Sequence, residues 1–305
     1  MKAVLMFSGQ GSQYQGMCLD LYEKYECVRN IFHQADEILG YSIKEIMFHD
    51  EALLNETVHT QVAMFTMYAA ILEVLKEKGL EFHYSMGLSL GEYGALLHNE
   101  VFHFETGLKL LQKRGILMQD CSSKVSGKMS AILGLDADIL ETIIESVDGY
   151  VKIANYNTYG QLVISGESEP VLKVNELALE KGAKRAILLN TSGPFHTVLM
   201  KQASDELGLY LEDIHLQEPK YNLLVNTTGD YYHGEIKNEL VEQITSSVKF
   251  YQMIEKLTED GVDTFIEIGP KKTLCSFVKK VDRKLMTLNI EDISSLDATL
   301  QELEE

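Results

Sequence analysis

Short apolar runs alternate with longer amphipathic stretches along this chain, and the alternation predicts strands followed by helices. Residues 4–7 are apolar and end at a glycine-rich turn, which predicts a buried strand. In residues 21–39 the apolar positions recur in steps of four and three, the spacing of one helix face. Further helices are predicted at 61–78, 90–98 and 104–122, and further strands at 82–86, 264–268 and 285–288, with a basic helix between the last two. This order is typical of an α/β fold with a parallel sheet.

The middle of the chain has a different order of elements. Strands are predicted at 129–133, 151–154, 162–165 and 186–189, with helices at 137–147 and 169–181 and a turn-rich segment at 155–160. The resulting order, βαββαβ, is that of the ferredoxin-like unit. We therefore expect one large α/β domain, formed by residues 1–124 and 192–305, with a small ferredoxin-like subdomain inserted at 125–191.

Composition narrows the classes of function. The chain has 27 basic and 46 acidic side chains, a net charge of −19, which excludes a generally basic nucleic-acid binder and disfavours attachment to anionic lipid. No apolar run is expected to reach the length of a membrane span. The four cysteines are scattered, without CxxC or zinc spacing, so we expect no metal site and a reducing, cytoplasmic setting.

The sharpest local signal is the pentapeptide Gly-Leu-Ser-Leu-Gly at residues 87–91, between a predicted strand and a predicted helix. In this G-x-S-x-G pattern, called a nucleophile elbow, a tight turn lifts the serine hydroxyl off the sheet edge. The start of the helix offers unpaired N–H groups to an oxyanion. The pattern predicts that Ser89 is a nucleophile and that the N–H of Leu90 is an oxyanion donor. The alternative is an ordinary turn in which the serine caps the helix.

A nucleophilic serine needs a base, and the chain has nine histidines that the sequence hardly separates. His98 lies on the helix after the elbow and should point away from it. His196 lies in a loop after a predicted strand, among small, rigid or apolar neighbours, which suits a histidine positioned in a cleft. The alternative is a partly exposed loop histidine. No acidic residue stands out as the third member of a triad.

Two more features are candidates for ligand binding. The glycine turn at residues 9–13 is not a dinucleotide fingerprint, because Tyr14 occupies the third glycine position. It either presents backbone N–H groups at the carboxyl edge of the sheet or is a plain tight connection. Arg114 lies beside an apolar helix stripe, and a partly buried guanidinium needs a partner. That partner is a structural carboxylate, the commoner case, or a substrate carboxylate held by a bidentate fork.

Together these motifs resemble the malonyl-CoA:acyl-carrier-protein transacylase family over nearly the whole chain. In order, the matching segments are residues 7–13 (FSGQGSQ), 87–93 (GLSLGEY), 113–115 with Met118, 127–132 (GKMSAI), 153–157 through 163–166, 193–196 (GPFH), Gln243 with 247–250 (SVKF), and 267–270 (EIGP). Each segment alone is weak to moderate evidence for the family, and the occurrence of all of them in this order makes the match specific. The resemblance implies a hydrolase-like α/β domain with a parallel sheet core that carries the inserted ferredoxin-like subdomain.

The resemblance also implies residue roles. Ser89 would accept the malonyl group as an ester, and His196, oriented by the backbone carbonyl of Gln243, would serve as its base and then protonate the leaving thiol. Arg114 would bind the malonyl carboxylate. The other implied site residues are the oxyanion donors Gln10 and Leu90 and the substrate-binding residues Phe195 and Asn155.

Two positions depart from the family pattern. Leu88 stands where a histidine usually precedes the serine, so any contacts of that imidazole are lost, although the downstream His196 preserves the dyad. Ser8 replaces a common proline, which is a minor change. Phe195 and Leu90 match the pattern that goes with malonyl selectivity.

The expected activity is transfer of malonyl from malonyl-CoA to the phosphopantetheine thiol of an acyl carrier protein, supplying fatty-acid synthesis. A free-standing acyltransferase that serves a polyketide synthase is one alternative. A serine acyl hydrolase is another, although it would have no need of the Arg114 clamp. A non-enzymatic carrier-binding module would require an unassembled dyad. We expect no cofactor beyond the coenzyme A thioester substrate, no nucleic-acid or membrane partner, and a monomer.

The acidic balance bears on the carrier partner, since acyl carrier proteins are generally acidic too. Two acidic proteins repel each other, so docking should need a local basic patch. The candidates are Lys271, Lys272, Lys279 and Lys280, with a second edge formed by Lys181, Lys184 and Arg185. The alternative is an ordinary solvated helix face.

Overall fold

Two β-sheets organise the protein, and the computed structural model describes residues 1–304. The strands within these residues are β1 (Ala3–Phe7), β2 (Tyr84–Gly87), β3 (Gly127–Leu133), β4 (Val151–Thr158), β5 (Gln161–Glu167), β6 (Arg185–Leu188), β7 (Asn222–Leu223), β8 (Thr264–Ile268) and β9 (Met286–Ile290). The α-helices within the same range are α1 (Leu19–Lys24), α2 (Glu26–Leu39), α3 (Ile43–His49), α4 (Glu51–Leu54), α5 (Thr57–Glu77), α6 (Gly91–His98), α7 (Phe104–Lys124), α8 (Ala137–Glu145), α9 (Ser168–Glu180), α10 (Lys201–Glu212), α11 (Ile236–Gln243), α12 (Phe250–Glu259), α13 (Thr273–Val281) and α14 (Ile293–Glu304). A 3₁₀ turn covers Val198–Met200.

The first sheet is parallel, with strand order β7-β2-β1-β8-β9. Its central strand β1 is buried from Val4 to Phe7, as a near-continuous apolar run predicts for a strand covered on both faces. Phe7 is in register with Gly87 of β2. The glycine turn after β1 and the elbow after β2 therefore leave the sheet at the same carboxyl edge, where ligands bind in open α/β sheets.

The second sheet is antiparallel, with strand order β4-β5-β3-β6. Helices α8 and α9 pack on it and close a separate apolar core that includes Ile132, Leu140, Ile164 and Val174. Both the element order and the strand order are those of a ferredoxin-like unit, so the predicted fold class is confirmed. The domain boundaries at 124/125 and 191/192 stay predictions.

Helix α5 corrects the expectation about membrane spans. It is 21 residues long, and by length and mean hydropathy, 1.3 in its most apolar 18-residue window, it is apolar enough to cross a membrane. That window is 78% buried inside the protein, where α5 packs against α2, α6 and α7. Hydrophobicity on all sides fits both a core helix and a membrane helix, and the burial of α5 inside the protein is that of a core helix.

Two other predicted elements differ from the structure. The single helix predicted at 21–39 is two helices, because the chain is extended at Tyr25 (φ −105°, ψ 130°) between α1 and α2. The turn predicted at 155–160 is mostly strand: β4 continues to Thr158, and the reversal takes place at Tyr159 and Gly160. Pairing with β5 and a bridge from Asn155 to Val248 stabilise these turn-prone residues as strand.

Candidate active site

Ser89 lies on a tight turn between β2 and α6, with a positive φ of 52°. Its flanking glycines are required by close backbone packing. A Cβ on Gly87 would lie 2.0 Å from the carbonyl carbon of Gly91, and a Cβ on Gly91 would lie 2.0 Å from the carbonyl oxygen of Phe7. The elbow is thus pressed against the end of β1, which explains why the G-x-S-x-G pattern has glycine at these two places.

The structure brings Ser89 and His196 together. The Oγ atom of Ser89 is 2.7 Å from Nε2 of His196, and Nδ1 of His196 is 3.0 Å from the backbone oxygen of Gln243. A carbonyl oxygen only accepts, so Nδ1 carries the proton and Nε2 has a free lone pair facing the serine hydroxyl. The backbone oxygen of Gln243 thus contacts the ring nitrogen opposite the serine, at the place where the resemblance puts an orienting carbonyl.

His196 is 3% exposed, and its environment keeps it neutral. Burial and the positive charge of Arg114 lower the pKa of His196 to about 4, although the Gln243 carbonyl opposes the shift. A neutral imidazole is the form that accepts a proton from serine. His98 lies elsewhere, with Nε2 3.0 Å from the carbonyl oxygen of Phe82, as the sequence led us to expect.

The two implied oxyanion donors lie on the neighbouring turns. Within residues 1–304, the backbone N–H groups of Gln10 and Leu90 donate to no other protein atom. The turns are in contact, because a Cβ on Gly9 would lie 2.9 Å from the carbonyl oxygen of Leu88. Two free donors at the carboxyl edge of the sheet are what an oxyanion hole needs.

The side chain of Gln10 links the glycine turn to the loop of His196. Its Nε2 donates to the hydroxyl of Thr57 at 3.1 Å, and that hydroxyl is 2.9 Å from the hydroxyl of Ser192. The first residue of α5 thereby ties together the two loops on which the resemblance places an oxyanion donor and the base.

Arg114 is 1% exposed, so it is fully rather than partly buried. Its Nη2 donates to Oε1 of Gln243 at 3.1 Å, and its guanidinium carbon is 5.2 Å from the centre of the Tyr93 ring. Among residues 1–304 no carboxylate forms an ion pair with it, and its Nε has no partner. Burial lowers the pKa of Arg114, and Tyr93 and the buried carboxyl group of Glu92 oppose that shift, so Glu92 keeps the structural-carboxylate alternative open. The unpartnered Nε is a donor available to a ligand anion.

Gln243 connects the cation to the nucleophile. Its Oε1 accepts from Arg114, and its Nε2 donates to the backbone oxygen of Ser89 at 3.1 Å. One side-chain amide therefore separates the guanidinium from the serine backbone. The resemblance implies only the backbone role of Gln243, not these side-chain contacts.

Two buried polar residues that the sequence analysis left without a role lie behind the elbow. Asn226 is fully buried and bonds to Ser89 and Gly87, and its backbone N–H donates to Glu92 at 2.7 Å. Glu92 is also fully buried, and burial together with Glu239 raises its pKa. Glu92 appears in the quoted elbow motif, whereas Asn226 comes from a loop 137 positions beyond Ser89 and carries no local pattern.

The remaining predicted residues are placed as follows. Phe195 is buried directly before His196. Leu88 is partly buried and packs on the glycine turn, since a Cβ on Gly9 would meet its Cδ2 at 3.1 Å. Asn155 is buried in β4 opposite Val248, and among the described hydrogen bonds its side chain makes none to Ser89, His196 or Arg114. Its role in binding substrate stays a prediction.

The proposed docking lysines differ in their contacts. Lys279 and Lys280 already bond within the protein, Lys279 to the backbone oxygen of Leu285 at 2.6 Å and Lys280 to Oε1 of Gln161 at 2.8 Å. Lys271 donates through Nζ to the backbone oxygen of Gly11 in the glycine turn, at 3.5 Å, and Lys272 is exposed. Among these four lysines, Lys271 is the one with a hydrogen bond to the candidate site.

No cluster of three or more His, Cys, Asp or Glu residues that could hold a metal ion is present in residues 1–304. The four cysteines are free, and Cys18, Cys121 and Cys275 are buried.

A parallel α/β sheet, a serine on a G-x-S-x-G turn, a neutral histidine within hydrogen-bond distance of it and two free backbone N–H groups nearby are the arrangement of a serine-nucleophile enzyme of acyl transfer. The family model described as the acyl transferase domain matches residues 4–297. The chain belongs to the malonyl-CoA:acyl-carrier-protein transacylase family, as its similarity to the relatives described next shows.

The malonyl CoA-acyl carrier protein transacylase of Bacillus subtilis is 39% identical over 310 residues, covering 100% of this chain and 98% of the relative. The crystal structure of the enzyme of that name from Clostridium perfringens superposes with a TM-score of 0.96 at 41% identity, covering 100% of this chain and 98% of the other. A complex of a type II polyketide acyl-carrier protein with its malonyl-transacylase has a TM-score of 0.96 at 34% identity, covering 99% of this chain and all of the other.

Proposed function

We propose that this chain transfers a malonyl group from malonyl-CoA to the phosphopantetheine thiol of an acyl carrier protein, through an ester on Ser89. The observation that carries the proposal is the buried Arg114, which forms no ion pair with a carboxylate among residues 1–304 and lies one amide away from the backbone of Ser89. A substrate whose acyl group ends in a carboxylate would supply the missing anion.

In the first half-reaction, Ser89 Oγ attacks the thioester carbonyl while its proton passes to Nε2 of His196. The developing oxyanion is bound by the N–H groups of Gln10 and Leu90. The tetrahedral intermediate then collapses, the carbon–sulfur bond breaks, and His196 returns its proton to the coenzyme A thiolate. Serine is left as a malonyl ester, with the free carboxylate held by Arg114.

In the second half-reaction, the carrier's thiol gives its proton to His196 and attacks the ester. Collapse of the second intermediate releases malonyl-carrier and reprotonates Ser89, which completes a ping-pong cycle. We further propose a cytoplasmic protein that supplies fatty-acid synthesis. The comparisons do not favour the alternative role as a dedicated supplier of a polyketide synthase.

Selectivity for the acyl group tests this proposal. Arg114→Ala should slow ester formation from malonyl-CoA by roughly ten- to hundredfold more than it slows loading from acetyl-CoA, the effect of losing one charge-assisted contact. The measurement is single-turnover mass spectrometry of the intact protein with malonyl-, methylmalonyl- and acetyl-CoA.

The matched control is Lys113→Ala, which removes a positive charge one residue away on the same helix and should change neither rate. Equal losses for malonyl and acetyl loading in Arg114→Ala would refute the clamp. Release of free malonate at the same rate with and without carrier protein would show a hydrolase instead.

A further inference from the structure

We propose that Asn226 is a positioning residue that holds the backbone of the nucleophile elbow in its reactive shape, and that Glu92 holds Asn226. The proposal rests on the proposed function, which makes Ser89 the nucleophile. It concerns two buried side chains that contact no reacting atom and reach the hydroxyl only through the backbone.

The carboxamide of Asn226 bridges the two peptide units on either side of Leu88. Its Oδ1 accepts from the backbone N–H of Ser89 at 2.7 Å, and its Nδ2 donates to the backbone oxygen of Gly87 at 2.7 Å. Both bonds are short for their type, and Asn226 is fully buried, so water does not compete for them.

These bonds act at the place where the backbone is strained. The φ of 52° at Ser89 is unfavourable for a residue with a Cβ and persists only where surrounding contacts determine it. Rotation of either peptide unit next to Leu88 would break a hydrogen bond to Asn226, and no water is available at this buried place to replace it. The carboxamide therefore fixes the direction in which the Ser89 side chain leaves the turn.

The same contact assigns the oxyanion donors. Since the N–H of Ser89 already donates to Asn226, it is not available to an oxyanion. The N–H of Leu90 has no protein acceptor within residues 1–304 and remains free. Gln243 holds the other backbone group of the nucleophile, the carbonyl oxygen of Ser89.

Glu92 makes the bridge rigid. Its Oε2 accepts from the backbone N–H of Asn226 at 2.7 Å, and the backbone oxygen of Asn226 accepts from the N–H of Lys249 at 3.0 Å. All four hydrogen-bonding groups of Asn226 are thus occupied. Among side chains of this length, asparagine provides both a hydrogen-bond donor and an acceptor. Aspartate has no donor, and leucine has neither group.

The test measures the reactivity of Ser89 with an uncharged alkyl fluorophosphonate, which modifies activated serines and needs neither Arg114 nor a carrier. The variants are Asn226→Ala and the isosteric Asn226→Asp, which keeps the acceptor and loses the donor. The matched controls are Asn99→Ala and Asn99→Asp. Asn99 is equally buried and bonds to Ser85, Ala95 and Tyr221 at the far end of α6.

Labelling is followed by intact-protein mass and expressed per folded molecule. Both Asn226 variants should react roughly ten- to hundredfold more slowly than the unmodified protein, and both Asn99 variants within about twofold of it. In a Ser89→Ala background, which prevents acylation, Asn226→Asp should leave the Kd for malonyl-CoA unchanged. A positioning role thus lowers the rate of reaction and spares binding.

Equal labelling rates in the Asn226 and Asn99 variants would overturn the positioning role, as would a parallel loss of malonyl-CoA binding. Glu92→Gln keeps an acceptor for the Asn226 N–H and should react faster than Glu92→Ala; the opposite order would remove Glu92 from the proposal. Failure of the proposed function would give a different result, because the unmodified protein itself would then not be labelled at Ser89.

Discussion

At the scale of single residues, Gln243 joins three parts of the site. Its backbone oxygen binds His196, and its side-chain amide binds both Arg114 and the backbone of Ser89. A backbone carbonyl here occupies the position that an acidic side chain has in a triad. No residue type marks such a carbonyl, so the sequence alone left the triad without a third member and only the family resemblance indicated Gln243.

The pKa of His196 predicts the pH dependence of acylation. Because the folded protein lowers this pKa from 6.5 to about 4, the neutral base persists well below the usual range of histidine. The rate of ester formation on Ser89 should therefore stay flat from about pH 7.5 to 5.5 and fall only as the pH drops toward 4. Single-turnover loading over this range measures it.

Thermal unfolding at each pH serves as the control, since it shows that the loss of rate precedes any loss of the fold. If the rate of ester formation fell with a midpoint near pH 6.5, His196 would titrate as an exposed histidine does. It would then not be held in the buried geometry described.

The site residues that the sequence predicts are marked by local motifs, whereas the site residues that it misses depend on contacts between distant parts of the chain. Ser89 stands in a local motif whose spacing has a mechanical reason, so the motif predicts it without the family resemblance. Asn226 contributes through tertiary contact alone, since its side chain meets an elbow 137 positions earlier in the chain. A buried asparagine in a loop has no periodicity or spacing that a sequence pattern can display.

At the scale of elements, the elbow requires glycine at its end for steric reasons, which can be tested. Gly91→Ala should lower the free energy of unfolding by about 3 kcal/mol or more, because a Cβ 2.0 Å from the Phe7 carbonyl oxygen forces β1 and α6 apart. Chemical denaturation of the variant measures the change.

The control is Gly208→Ala in α10, where the added Cβ would lie 3.4 Å from Val241, an ordinary contact. In a helix this change should be neutral or stabilise the protein by up to about 1 kcal/mol. If Gly91→Ala proved as stable as Gly208→Ala, the close packing of the elbow on β1 would be wrong.

Elements with strong local patterns were predicted well, and the errors lie where tertiary contacts decide. The strands β1 and β8 and the helix α7 follow from their apolar patterns. Asn155 and its neighbours favour turns locally, yet pairing across the sheet keeps them extended. Helices α10, α11 and α12 were not predicted, although α12 is strongly amphipathic and its apolar face, including Phe250 and Met253, gave a usable signal.

At the scale of the whole molecule, the net charge of −19 predicts that carrier docking depends on a local basic surface. Charge reversal at Lys271 and Lys272 should slow transfer from the malonyl enzyme to the carrier and leave loading from malonyl-CoA unchanged. The matched control is charge reversal at Lys76 and Lys78, exposed near the end of α5, which changes the net charge equally. Equal slowing in both pairs would mean that net charge, rather than this surface, governs docking.

The central claim is that Ser89 carries the malonyl group between the two thiols. Its most direct test is intact mass spectrometry of the protein mixed with malonyl-CoA, followed by addition of phosphopantetheinylated carrier. The account predicts one malonyl adduct, its disappearance from the enzyme as the same mass appears on the carrier, and no adduct on Ser89→Ala. An undiminished adduct on Ser89→Ala would contradict it.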